Sequence, residues 1–68
     1  MNVSAERRLS VARGFLEVAN SWSDSKRAMK ADAIFVNLYI ILNNATEEEL
    51  ASQERANEMH QKELVVGS

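Results

Sequence analysis

Ala28-Met29-Lys30-Ala31-Asp32-Ala33-Ile34-Phe35-Val36-Asn37-Leu38-Tyr39-Ile40-Ile41-Leu42-Asn43 is the stretch whose reading decides the fold. Stepped at about 100° per residue, Lys30 and Asn37 fall on one narrow strip with Lys26 and Asn44. Apolar side chains occupy nearly all the rest of the circumference, with Asp32 and Arg27 as exceptions near the start. A helix that is apolar around most of its girth must be covered on most sides. The β-forming runs Ile34-Phe35-Val36 and Tyr39-Ile40-Ile41 offer a strand as the alternative. Three features oppose it: the run does not alternate, no second strand-like run exists to pair with, and the lead-in Lys26-Arg27-Ala28-Met29-Lys30-Ala31 favours helix. The sequence therefore predicts a mostly buried helix over about 26–43.

On the N-terminal side, Ala5, Leu9, Ala12, Phe15, Leu16, Val18 and Ala19 share half a helical wheel, with Val11 at its edge and Arg8 breaking the pattern. This predicts an amphipathic helix over about 3–20, started by Asn2 or Ser4. Ser21-Trp22-Ser23-Asp24-Ser25 is a break, because short polar side chains there compete for backbone hydrogen bonds. Trp22 is expected to seal the end of the core. On the C-terminal side, Thr46-Glu47-Glu48-Glu49 reads as a capping box, with Thr46 as the cap and Glu49 reaching back. It opens a polar helix over about 47–64 whose apolar content is a thin stripe at Leu50, Asn57 and Leu64. So polar a helix is expected to pack lightly or to leave the bundle.

Length sharpens this picture. The chain has 68 residues, no cysteine, no proline and one histidine, which suits a single helical domain and excludes disulfides and thiolate-bound zinc. Domains this small bury only about 60% of their unfolded surface and usually add a staple. Here the remaining staple is a partner chain. The expected fold is all-α: an antiparallel helical hairpin plus a polar third helix, completed as a bundle by oligomerisation. A homodimer or heterodimer follows, and the interface candidates are Trp22, Ile34, Phe35, Leu38, Tyr39, Ile41 and Leu42.

The chemistry-bearing residues are sparse. One histidine, His60, supports neither a catalytic triad nor more than a two-ligand metal site with Glu63. No glycine-rich phosphate loop is present. The expectation is therefore a non-enzyme with no cofactor. The leading reading is a non-catalytic protein-binding module: a small regulator, an inhibitor or a chaperone-like accessory. Glu47, Glu48, Glu49 and Glu54 offer it an acidic face for a basic partner. The alternative is a small dimeric nucleic-acid-binding regulator using Arg7, Arg8, Lys26, Arg27 and Lys30. A net charge of −2 makes it the weaker of the two. The run Ala33–Leu42 is too short for the roughly twenty residues a membrane span needs. No apolar leader-like run occupies the first twenty residues, so a cytoplasmic location is expected. In size and cysteine-free helical composition the chain resembles small accessory proteins of phages, plasmids and secretion systems.

Overall fold

The computed structural model describes the backbone of residues 2–67 and the side-chain surroundings of residues 2–63. The described residues form helices α1 (Ala5–Asn20), α2 (Asp24–Met29), α3 (Ala31–Tyr39) and α4 (Glu47–Gly67), with a π-helical segment at Ile40–Asn44 between α3 and α4. No strand occurs among them.

The starts of α1, α2 and α4 each follow from a local side chain, whereas α3 begins at the bend without a side-chain cap. Ser4 caps α1, accepting the Arg7 N–H at 3.1 Å, and Ser23 caps α2, accepting the Lys26 N–H at 3.2 Å. The capping box forms in both directions: Glu49 N–H donates to Thr46 Oγ1 at 3.2 Å, and Thr46 N–H donates to Glu49 Oε1 at 3.0 Å.

The expectation of one continuous, mostly buried helix over 26–43 needs correcting on both counts. The helix begins at Asp24 and bends at Lys30, whose φ of −103° and ψ of 12° leave the helical region. No glycine or proline stands there, so tertiary placement rather than local chemistry sets the bend. The last turn widens, and Ala45 N–H reaches the Ile40 carbonyl at 2.7 Å, a π-type bond. Arg8 donates to the Ile41 carbonyl at 3.0 Å, which occupies the residue that broke the pattern on the first helix. None of the residues of α2 or α3 is buried, and Ile41 alone is buried within the 26–43 stretch. Ile34 and Leu38 are half-buried against the core. One chain of this length has too few helices to wrap a third.

The polar third helix also departs from expectation. It does not hang loose: α4 is the principal neighbour of α1. Leu50 is fully buried at 0% exposure and Asn57 at 6%, so the thin stripe is the packing line. Leu64, its third member, lies outside the described side chains. The core gathers Val11, Ala12 and Phe15 of α1 with Ile41, Ala45 and Leu50. The buried face of α1 is thus rotated toward Val11, and Leu9 and Leu16, placed on the apolar half by the wheel, are exposed.

Polar contacts substitute for the grease that α4 lacks. The Asn57 amide reaches the α1 backbone, donating to the Val11 carbonyl at 3.3 Å or, turned over, accepting from the Phe15 N–H at 3.2 Å. Gly14 makes room for it: a Cβ there would come within 2.9 Å of Asn57 Nδ2. Gln61 donates to Glu17 at 2.7 Å. Arg7 clamps the N-terminal turns of α4, its Nε donating to Glu47 at 2.9 Å and its Nη1 to Glu54 at 2.7 Å.

These contacts carry a pH signature. The hydrogen bond from Arg7 holds the Glu54 carboxyl below its ordinary value, against a smaller opposing effect of burial. The Thr46 backbone N–H, then its side chain, does the same for Glu49. A carboxyl with a depressed folded pKa contributes stability that is complete above the unfolded pKa and is lost as pH falls through the folded value. Stability should therefore be flat from neutral pH to about pH 5 and decline modestly below about pH 4, since both carboxyls are solvent-accessible. Urea unfolding at stepped pH measures this. Arg7→Gln should make the acid limb shallower by removing the Glu54 part of it, and an unchanged limb would discard the ion pair as its source.

Candidate functional site

The outward side of α3 is the most distinctive surface on the molecule. Phe35 is 70% exposed, Val36 57% and Tyr39 61%, while Met29, just before the bend, reaches 86%. Ile40 and Leu42 extend the patch at about a third exposed. Residues 35, 36 and 39 share this face because three- and four-residue spacings align on a helix. Ile34, Leu38 and Ile41 fall on the opposite side and face the core. The π segment continues that division, turning Ile41 inward and Leu42 outward.

The seven sequence-derived interface candidates therefore divide. Phe35, Tyr39 and Leu42 are exposed and stand together. Ile34, Leu38 and Ile41 serve the chain's own core. Trp22 is half-buried, with the Lys26 ammonium 4.8 Å from its ring centroid. Its indole Nε1 is buried without a hydrogen-bond partner among the described residues. Sequence reasoning passed over Met29, Val36 and Ile40. A wheel that is apolar nearly all round carries no signal to separate the outer face from the inner.

The charged candidates are mostly engaged within the chain. Of the acidic set, Glu47 and Glu54 hold Arg7 and Glu49 completes the capping box, while Glu48 is exposed. Of the basic set, Arg7 is held by those two carboxylates, which raise its pKa further, and Arg8 donates to the Ile41 carbonyl. Arg27 pairs with Asp24, Lys26 covers Trp22, and Lys30 is exposed at the bend. The structure does not gather these five cations into one patch.

One contact imitates a catalytic pair. His60 Nε2 lies 3.3 Å from Ser21 Oγ. The Ser21 hydroxyl, however, donates to the Val18 carbonyl at 2.6 Å. With the hydroxyl proton pointing to the Val18 carbonyl, the Ser21 oxygen is left as an acceptor toward the imidazole. Among the described residues, no three His, Cys, Asp or Glu side chains converge as a metal ion would require. Likewise, no described helix is long and apolar enough to cross a membrane.

An open surface depression of about 870 Å³ lies between the start of α1 and the start of α4, bordered by Ser4, Arg7, Arg8, Thr46 and Glu48. It mixes signs of charge and holds no unpaired buried polar group aimed into it. The α3 face thus remains the candidate site. No family model, curated protein or solved structure matches this chain.

Proposed function

We propose that this chain is a non-catalytic protein-binding module, a small regulator, inhibitor or chaperone-like accessory, that acts by laying the outer face of α3 against another protein chain. One observation carries the reading: Phe35, Val36 and Tyr39 share an outward face of α3 in solvent on a protein with very little core to spare. Burying a large apolar side chain contributes about 1.5–3 kcal/mol. Few such anchors are needed for specific binding, and aromatic side chains are the usual ones. The incoming chain would also complete the bundle around the middle helix, which supplies the cover that its wide apolar girth calls for. A nucleic-acid role draws less support, because Arg7, Arg8 and Arg27 are spent on internal partners.

Replacing Phe35, Val36 and Tyr39 together by Ser tests the reading. Folding should survive, with unfolding free energy within about 1 kcal/mol of the parent, since all three side chains are exposed in the single chain. Association should be lost, read by comparing what parent and variant capture from the host. A variant that unfolds would make the face part of the core. Unchanged capture would move docking elsewhere.

A further inference from the structure

We propose that the chain seated on the α3 face is a second copy of this one, packed antiparallel about a two-fold axis. The inference rests on reading that face as a docking surface.

Surface area is the first support. The chain exposes 5076 Å², whereas a compact monomer of its mass exposes about 4300 Å². The difference, about 800 Å², is what each partner contributes to an interface of standard size. Shape agrees: the radius of gyration is 12.4 Å, against about 11 Å for a compact chain of this length. The molecule is a slab 39 × 26 × 15 Å.

Self-complementarity is the second. The outward positions Asp32, Phe35, Val36, Tyr39 and Leu42 recur at the three- and four-residue spacing of a helix–helix seam. In a two-fold antiparallel pair, facing residue numbers have a constant sum. Centred between Phe35 and Val36, Phe35 meets the partner's Val36, and Asp32 meets the partner's Tyr39. The one charge on the face is thereby placed against the one phenol hydroxyl, twice, so the carboxylate is hydrogen-bonded when it leaves water. A parallel pair would instead set Asp32 against its own copy.

Charge is the third. Residues 1–34 carry six cations (Arg7, Arg8, Arg13, Lys26, Arg27, Lys30) and four anions, and residues 35–68 carry two cations and six anions. The antiparallel register brings the end bearing the exposed Lys30 toward the partner's acidic turn, where Glu48 makes no ion pair or capping bond of its own among the described residues.

Sedimentation equilibrium on the full chain, from about 5 to about 200 µM, tests this. A dimer is expected, and Tyr39→Glu should weaken it about 100-fold by setting carboxylates opposite each other at both crossings. Adding Asp32→Lys should restore it to within about tenfold of the parent. Circular dichroism checks that each variant folds; both positions are exposed, so each should. A parent that stays monomeric throughout overturns the homodimer and leaves the face to a foreign chain, which the serine variant judges separately. A dimer indifferent to Tyr39→Glu overturns the α3 face as its interface. Loss without rescue overturns the antiparallel register.

Discussion

Leu50→Ala is expected to lower the unfolding free energy by about 2–5 kcal/mol. A domain of this length holds only about 3–10 kcal/mol in total, so the variant should lose a large share of its stability. Leu50 has no exposed surface and sits among Val11, Ala12, Phe15, Ile41 and Ala45. It is the one large apolar side chain that the described part of α4 buries. Its loss removes both the transfer energy of the side chain and the contacts of those lining the void. A core this thin has nothing behind it to collapse into the space. Leu9→Ala is the control, because Leu9 is about half exposed and should cost less than about 1 kcal/mol. Urea unfolding followed by circular dichroism separates them. Equal losses for the two variants would mean that α4 is not docked through Leu50.

Asn57→Leu is expected to destabilise the fold by about 1–3 kcal/mol, although it makes a buried site more apolar. Asn57 crosses from α4 to the α1 backbone beside Gly14. Leucine cannot make that hydrogen bond, and its branched end meets the backbone that the missing Gly14 side chain exposes. Gly14→Ala tests the same contact from the other side. By helix propensity alone alanine would gain about 1 kcal/mol. In the parent the added carbon meets Asn57 Nδ2 at 2.9 Å, so the gain should vanish or reverse. In an Asn57→Ala background it should reappear, and the two effects would then be non-additive by about 1 kcal/mol. Additive effects would show that α1 and α4 do not rely on this contact. A stabilised Asn57→Leu would show that α4 slides along α1 to admit it.

Part of the fold was legible residue by residue. Ser4, Ser23 and the Thr46–Glu49 pair announce helix starts because a capping bond spans three residues and needs no distant partner. Helical content followed from the scarcity of glycine and proline and from the wheel of the first segment. Even the stripe of Leu50 and Asn57 gave the inward face of α4 correctly. What failed was the inference from its polarity that α4 would pack lightly. That judgement counted grease and could not count Arg7, Gln61 and Asn57, whose partners lie 40 or more residues away.

The middle helix marks the boundary most clearly. Periodicity alone showed that apolar side chains ring Ala28–Asn43, and from that came the expectation of cover on more than one side. Composition could not say which side the chain itself would cover. The bend at Lys30 and the widened turn at Ile40–Asn44 decided that, turning Ile34, Leu38 and Ile41 to the core and leaving Phe35, Val36 and Tyr39 in solvent. Those choices depend on where α1 and α4 lie, and α4 lies against α1 through Leu50 together with long-range polar contacts. Local propensity and periodicity act over a few residues and write themselves into the sequence directly. Which face of a uniformly apolar helix stays bare is a competition among distant segments for the same surface, and only the assembled structure resolves it.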